Sequence, residues 1–354
     1  MTMHINGNTY DRILGIDVDK RNFSITCISE SLPKKQLRIP ASSRGLLSYV
    51  RNHFSHDRIL FVYEAGPTGW GLFDDLRKLH YDCIVTHPAS ISIPYNRIVK
   101  NNRLDSQSLA EQVKSGQLQG IRVPSEPFRN LRHLMSLRYD CAKLNRELKQ
   151  KIRSLLLFEG VSHLIPESAQ AWNAHHRSKL TQIPLPTAAA YKLKILAQNL
   201  ELARLQLLEV HKQIRSFCLS EPVIQKNLQF LQSIPGIGPV IAPALLARIG
   251  DPANLRNVRE LGAFCGLVPR ESSTGDTIRR GHISHQGDRV LRGLLIEAAW
   301  VTIRKDKELA NFYHRIKAKR NEQGGAQIAI TAVARKLTAR IYAVLKDQRI
   351  YEIR

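Results

Sequence analysis

RILGID, residues 12–17, is a short apolar run that ends on an acidic residue, and RILFVYE, residues 58–64, repeats that pattern. Dense apolar runs of this length predict buried strands. The elements predicted around them are, in chain order, strands over 23–28 and 36–39, a helix over 43–53, a helix over 70–79, a strand over 81–85 and a helix over 105–115. Three meandering strands followed by alternating helices and strands are the order of a ribonuclease-H-like α/β fold.

Three acidic residues fall at the ends of these elements. Asp17 ends the first predicted strand, Glu64 ends the fourth, and Asp105 opens the helix after the last strand. In a ribonuclease-H-like sheet the first and fourth strands are neighbours, so we expect their carboxylates to meet at one edge. Carboxylate oxygens suit Mg²⁺ or Mn²⁺, which can assist attack on a phosphodiester. Singly, each acid is better explained as a helix cap or a solvated strand end. Jointly, three acids at three element ends in this order favour a site, and Asp19 has a supporting role at most.

The strand pattern disappears between about residues 125 and 220. Leucines recur at three- and four-residue steps along two stretches, which predicts two long amphipathic helices. Such helices form an antiparallel hairpin or coiled coil, although an ordinary helical core produces the same periodicity. From residue 223 onward the pattern is compact and helical.

The composition points to a polyanionic partner. The chain of 354 residues has 53 Lys and Arg against 30 Asp and Glu, a formal charge of +23. Nucleic acid relieves such an excess because phosphates release counterions when basic side chains replace them. No apolar run is long enough to cross a membrane, so we expect no membrane partner. The five cysteines form no CxxC pair, which favours a reducing cytoplasm and disfavours disulfides and zinc fingers.

The segment SIPGIGPVIA, residues 233–242, predicts a helix end, a tight turn over Gly236 to Gly238 and a new helix. Glycines let the backbone approach a phosphate, and amides at a helix N-terminus point toward it. The segment resembles a helix-hairpin-helix element, which binds the DNA backbone without reading its sequence. An ordinary turn between two helices is the alternative.

A hydroxyl-rich loop is expected within GLVPRESSTGDTIRRG, residues 266–281. Ser272 and Ser273 are candidate nucleophiles there, because a serine beside guanidinium groups can attack a phosphodiester. The side chains expected to bind nucleic acid around them are Arg270, Thr274, Arg279 and Arg280. Loops of this composition more often cap helices or contact phosphate without chemistry.

Together these motifs resemble the IS110 family of insertion-sequence transposases. The three acidic motifs are GIDVDK at 15–20, YEAGPTGWG at 63–71 and KNNRLDS at 100–106. The C-terminal motifs are IPGIG at 234–238, GLVP at 266–269, STG at 273–275, GHIS at 281–284, LR at 291–292 and EAA at 297–299. They occur in the family's order over nearly the whole chain.

The resemblance implies a RuvC-like metal-binding domain over 10–124, a helical coiled-coil linker over 125–222 and a C-terminal serine transposase domain over 223–354. It assigns three of the four acids of a DEDD metal site to Asp17, Glu64 and Asp105, and the nucleophile to Ser273, with Ser272 as the fallback. The third acid is replaced by Asn102, whose neutral amide oxygen should bind Mg²⁺ more weakly.

The expected function is therefore DNA transposition, guided by a structured "bridge" RNA that the element encodes. The resemblance further implies a homo-oligomer, a dimer or tetramer, associated with the nucleoid of a prokaryotic cytoplasm. Two alternatives remain open: a metal-only nuclease akin to a Holliday-junction resolvase, and a nucleic-acid-binding protein whose catalytic site has decayed.

Overall fold

The computed structural model describes residues 2–91, 102–168, 172–274, 277–283, 286–319 and 324–353. Within these ranges the side chains of 89, 102, 103, 270–274, 277–280 and 282 lie outside the description. The chain divides into two compact units, Met1–Val123 and Pro124–Arg354.

The first unit contains a five-stranded mixed sheet. Its strands and those of a small hairpin before it are β1 Met3–Ile5, β2 Asn8–Tyr10, β3 Arg12–Val18, β4 Asn22–Ile28, β5 Lys35–Pro40, β6 Ile59–Glu64 and β7 Asp82–Thr86. The strand order is β5-β4-β3-β6-β7, with β3, β4 and β5 antiparallel and β3, β6 and β7 parallel. The first and fourth strands of the predicted meander, β3 and β6, are therefore neighbours, as the sequence predicts.

Three helices cover the two faces of this sheet: α1 Ser43–His53, α2 Gly71–Lys78 and α3 Asn102–Lys114. Leu14, Ile16, Phe61 and Tyr63 belong to the buried cluster that contains α1 and α2. The alternate residues of β3 and β6 face the other way and pack with α3 in a separate cluster, whose members include Ile13, Leu60, Val62, Leu109 and Ala110. The helix–sheet–helix layering is that of a ribonuclease-H-like domain.

The second unit is mostly helical. Its helices are α4 Glu126–Phe158, α5 Ala174–Lys179, α6 Thr187–Ser220, α7 Pro222–Gln232, α8 Ile241–Ile249, α9 Val258–Phe264, α10 Arg289–Thr302, α11 Lys307–Ala318 and α12 Gly325–Asp347. The beginning of α4 shares the main core with the end of α6, whereas the end of α4 and the beginning of α6 share a smaller core. The two long helices thus pack antiparallel.

Two details of the second unit differ from the sequence-based expectation. The hydroxyl-rich segment is not a loop but part of a two-stranded antiparallel sheet, formed by β8 Pro269–Thr274 and β9 Thr277–Ile283. Leu137 and Leu144, which belong to the leucine periodicity of α4, are 48% and 44% exposed. The leucine periodicity identifies the helix correctly, but the leucine-bearing face of α4 is not buried along its whole length.

No helix in the described part of the chain is both long enough and apolar enough to cross a membrane.

Candidate functional site

The carboxylate-bearing edge of the first sheet is formed by the ends of β3 and β6. Their parallel register pairs Ile16 with Tyr63, so the next step along the strands brings Asp17 beside Glu64. Asp17 lies on the same face of the sheet as Ile13, and Glu64 lies on the same face as Val62. The side chains of Ile13 and Val62 pack with α3. Since adjacent strands are about 4.8 Å apart and side chains alternate between faces, the two carboxylates project from the same face at the same edge.

Helix α3 reaches this edge because β3 carries a glycine where the helix crosses it. A Cβ atom on Gly15 would lie 2.1 Å from the carbonyl oxygen of Ser106 and 2.9 Å from the amide nitrogen of Ala110. Asp17 is two residues beyond Gly15 on the same face, and Asp105 directly precedes Ser106. The glycine thereby allows the first turn of α3 to approach the strand end that carries Asp17.

Polar contacts fix the position of α3 on the sheet. The hydroxyls of Thr26 and Ser106, both buried, are hydrogen-bonded at 2.8 Å. Gln36 donates to Thr26 at 3.3 Å and to Gln107 at 3.2 Å. Lys34 pairs with Glu111 and, as a hydrogen-bond donor, lowers the pKa of that carboxyl. These contacts orient the helix whose first turn contains Asp105.

The structure brings the predicted acids to one region but does not assemble a closed metal cage from them. Among the described side chains, no three His, Cys, Asp or Glu residues form a group that could hold a metal ion. Asp17 and Asp105 are half-buried and Glu64 is exposed. The backbone of Asn102 begins α3, whereas its side chain lies outside the description.

Two further polar residues, Asp19 and Thr86, lie near this edge of the sheet. Asp19 is exposed, and its carboxylate accepts a hydrogen bond from the backbone amide of Lys20 at 2.5 Å, which explains it as part of the turn after β3. Thr86 stands opposite Glu64 in the register of β6 and β7. Its hydroxyl is fully buried and finds no hydrogen-bond partner in the described part of the chain.

The donor set at this edge fits a hydrated hard cation. Asp17 and Glu64 supply carboxylate oxygens from neighbouring strands, and Thr86 supplies a buried hydroxyl that a metal-bound water could satisfy. The sequence analysis missed Thr86, because a threonine at the end of a β-rich run is ordinary strand composition. Its significance comes only from its place beside Glu64 in the sheet.

The candidate nucleophiles stand on β8. Ser272 pairs with Arg279, Ser273 with Ile278, and Glu271 with Arg280 in the antiparallel register. The side chains of Ser272, Ser273 and Thr274, and those of Arg270, Arg279 and Arg280, lie outside the description. The backbone register places serine and arginine residues on adjacent strands of one hairpin.

The turn between α7 and α8 contains the two glycines predicted to approach phosphate. Gly236 has φ +91°, and a Cβ atom there would lie 2.4 Å from the carbonyl oxygen of Ala298 in α10. Thr302 on the same helix donates to the carbonyl of Pro235 at 2.6 Å. At Gly238, by contrast, an added Cβ would meet nothing within 4 Å. Packing against α10 thus accounts for Gly236, whereas Gly238 faces open space.

Cysteine chemistry has no support in the described structure. Burial raises the pKa of Cys83 to about 12, that of Cys265 to about 12 and that of Cys218 to about 11. A thiol with so high a pKa forms little thiolate at neutral pH, and the thiolate is the reactive species.

The comparisons with known proteins match both units of this structure. A family profile described as the transposase IS116/IS110/IS902 family matches residues 228–314, and a transposase profile of the DEDD domain of IS110 elements matches residues 14–159. These ranges include the acidic edge, the turn before α8 and the serine-bearing hairpin.

Similar proteins cover most of the chain. A putative transposase, y4qE, of Sinorhizobium fredii is 27% identical over 96% of this chain and 90% of its own length. The transposase for insertion sequence element IS1111A of Coxiella burnetii is 27% identical over 73% of this chain and 70% of its own length. A pilin gene-inverting protein of Moraxella bovis is 31% identical, over 38% of this chain and 41% of its own.

Proposed function

Because the chain belongs to the IS110/IS116 family of transposases and is a DNA transposase, we propose that it moves an insertion sequence with two sets of catalytic residues. Asp17 and Glu64, with Asp105 approaching from α3, would supply the carboxylates that bind Mg²⁺ or Mn²⁺. Ser273 attacks the DNA phosphodiester. A DEDD domain implies a divalent-metal-dependent nuclease. The proposal adds the identity of the metal, the residues that bind it and the nucleophilic serine.

The observation that carries the metal-site assignment is the shared edge of β3 and β6. Asp17 and Glu64 extend from the same face one step beyond the last paired residues of two neighbouring strands. Asp105 lies in the first turn of the helix that packs on that face. Negative side chains in a helix's first turn are favoured by the helix dipole, which suits an acidic residue at this position.

The chain's own residues in this site bind and orient. Asp17 and Glu64 would hold the cation from the sheet, Asp105 would approach it from α3, and Asn102 would add a neutral amide oxygen. A divalent cation supplies Lewis acidity to phosphate oxygens and lowers the pKa of a bound hydroxyl. One acid fewer than in a four-carboxylate site means weaker cation binding.

The serine step conserves the energy of the phosphodiester. As the bond between Ser273 Oγ and phosphorus forms, one P–O ester bond of the DNA breaks. The serine proton passes to a base, and the departing strand's oxygen takes up a proton to become a hydroxyl. The protein-bound phosphoester can then be attacked by another strand's hydroxyl, which rejoins DNA without an added energy source.

Contacts to phosphate complete the proposal for the second unit. Arg279 lies opposite Ser272 across the hairpin, and guanidinium groups suit bidentate binding of phosphate. Arg270, Thr274 and Arg280 contribute further contacts around the serine. The helix-hairpin-helix interpretation assigns the backbone of Gly236 and Gly238 to the DNA backbone, and the open space at Gly238 favours that residue.

The guide and the assembly are also part of the proposal. A structured RNA encoded by the element directs the protein to its DNA, and the charge of +23 suits more than one nucleic acid strand. The protein acts as a dimer or tetramer. The division of residues 125–354 into a coiled-coil linker over 125–222 and a serine domain over 223–354 stays a prediction.

A nicked suicide DNA substrate tests the proposal, because the nick lets the departing strand diffuse away and traps a covalent intermediate. Protein–DNA adduct should vanish in Ser273→Ala and persist in the matched control Ser272→Ala. The opposite result would move the nucleophile to Ser272. Metal-dependent cleavage without adduct in any variant would identify a resolvase-like nuclease, and binding without cleavage would identify a decayed DNA-binding protein.

A further inference from the structure

A large basic groove lies in the second unit between α4, α8 and α10. Its volume is about 940 Å³. Six cationic side chains line it: Arg132, Arg138, Arg146, Lys149, Arg248 and Arg289. The lining that the structure describes includes no Asp or Glu. The groove is therefore a concentrated positive surface rather than a mixed one.

Three of these cations are held by contacts within the protein. Arg132 donates from Nε to the carbonyl of Ala247 at 3.0 Å, at the end of α8. Arg248 pairs with Asp288, the residue that caps α10. Arg138 donates to Nε2 of His211 at 3.2 Å. These contacts hold the walls of the groove in place.

The other cations are available to a ligand. Arg146 and Arg289 are exposed and form no ion pair within the described part of the chain. Arg289 is the first residue of α10, where the positive end of the helix dipole disfavours a cation.

Of the six groove cations, Arg248 alone has an acidic partner within the part of the chain that the structure describes. Partial burial, followed by the nearby charge of Arg248, lowers the pKa of Arg132. Burial lowers the pKa of Arg138, and burial together with Arg177 lowers that of Lys149. Each shift means that the charged form is disfavoured where it stands. An anion in the groove would relieve this cost.

The rest of the lining is not simply polar. Ala142, Val240 and Ala244 contribute small or apolar surface, and Tyr139 lines the groove with 45% of its surface exposed. A duplex presents mainly phosphates to such a surface, because its bases are stacked inside. A single strand presents phosphates and also base faces, which stack on aromatic side chains.

We propose that this groove binds a single-stranded stretch of nucleic acid, with backbone phosphates on Arg146 and Arg289 and a base against Tyr139. Unpaired RNA and unpaired DNA both offer backbone phosphates and exposed base faces, so either could occupy the groove. The site rests on the proposed function, since it assigns one surface for nucleic acid, but it requires neither Ser273 nor a metal ion and can be tested apart from both.

The test measures binding of the full-length protein, in EDTA, to fluorescent oligonucleotides of about twelve nucleotides. Single-stranded DNA, single-stranded RNA and a duplex of the same sequence are compared. The variants are Arg146→Gln with Arg289→Gln, and Tyr139→Ala. The matched control is Arg259→Gln with Arg304→Gln, which removes the same charge from two exposed arginines outside the groove lining.

The groove double variant should weaken single-strand binding by about tenfold or more and reduce the log–log salt slope by about 1.4, since each lost contact to a single strand is worth about 0.7. Tyr139→Ala should weaken single-strand binding by about fivefold or more and leave duplex binding nearly unchanged. The control pair should change affinity by less than about twofold. A larger loss for one single strand than for the other identifies RNA or DNA as the natural occupant.

Three outcomes would overturn the proposal: an equal loss in the control pair, an equal loss for the duplex, or unchanged single-strand binding in Tyr139→Ala. Thermal melting separates these from misfolding. Arg289→Gln should keep or raise the melting temperature, because it removes a cation from a helix N-terminus.

Discussion

Strand β3 in the first unit and the turn between α7 and α8 in the second each contain a tightly packed glycine. Two residues after it comes a residue that the proposal assigns to a ligand. In β3, Gly15 makes room for α3, and Asp17 lies beyond it at the sheet edge. In the turn, Gly236 makes room for α10, and Gly238 faces open space. In each segment one residue packs against a helix, and the other, Asp17 or Gly238, is the one that the proposal assigns to a ligand. In β3 the packing residue and the residue assigned to a ligand are of different types, a glycine and an aspartate. In the turn both are glycines.

The largest effect should come from Asp17, at the end of β3. Asp17→Ala should reduce strand transfer by more than roughly a hundredfold, because even outer partners of metal ligands are worth tenfold to a hundredfold. The melting temperature should hardly change, since a half-buried strand-end carboxylate contributes little packing. Recombination assays and thermal melting on the same samples check both statements. Asp19→Ala is the matched control and should retain activity; equal loss in both variants would remove the distinction between them.

The packing positions should show the next largest effect, on stability. Gly15→Ala and Gly236→Ala each force a methyl group against a backbone carbonyl oxygen, at 2.1 and 2.4 Å, so each should cost about 3 kcal/mol of unfolding free energy, the upper end for overpacking. Gly238→Ala has open space and should cost less than about 1 kcal/mol. Urea denaturation gives these values. A similar cost at Gly236 and Gly238 would show that the two glycines do not have separate roles.

A smaller effect is expected at the missing acid. Asn102→Asp adds a charged oxygen at the start of α3, so the Mg²⁺ concentration for half-maximal DNA cleavage should fall severalfold. Gln117→Glu adds the same charge at an exposed position just after α3 and should leave the Mg²⁺ dependence unchanged. A sharp loss of cleavage in Asn102→Asp would place residue 102 outside the metal site.

The smallest effect concerns a contact beside the turn. The backbone amide of Tyr351 donates to the hydroxyl of Ser233 at 2.8 Å, and the Tyr351 hydroxyl donates to Asp306. Burial, and then this hydrogen bond, raise the pKa of Tyr351 from 10.0 to about 12. A raised pKa in the folded state means that the stabilisation is fully present below pH 10 and is lost as the pH rises toward 12.

Tyr351→Phe should therefore melt below the wild type at neutral pH, and the difference should shrink between about pH 10 and pH 12. Tyr139→Phe serves as the control because Tyr139 is largely exposed. A difference that stays constant over this range would show that the contact with Asp306 does not depend on the tyrosine proton.

Local sequence was sufficient for most of the first unit. The strands predicted from the runs ending at Asp17 and Glu64 are β3 and β6, and the helix over 43–53 has the predicted bounds. The prediction missed the hairpin of β1 and β2, although Asn6 and Gly7 have the positive φ values of its turn, and Asn-Gly between short apolar segments is a strong hairpin signal. It also treated residues 269–274 as a loop, because serine and threonine are common in both loops and strands.

The basic groove could not be predicted in the same way. Its cations come from α4, α8 and α10, and on α4 they lie among many other lysines and arginines of a long amphipathic helix. Periodicity distinguishes an apolar face from a polar one, but it does not say which polar residues will face another helix. The cations that converge are identified only once the helices are packed.

The sequence by itself determined the element order of the five-stranded sheet and its helices, the excess of positive charge and the residue types available for metal and phosphate chemistry, because these depend on local spacing and composition. Tertiary structure decided that Asp17 lies beside Glu64, that Thr86 stands opposite Glu64, that Gly236 packs while Gly238 is open, and that six cations line one groove. Each of these depends on the distance between atoms far apart in the chain, and that distance is set by how the helices and strands pack.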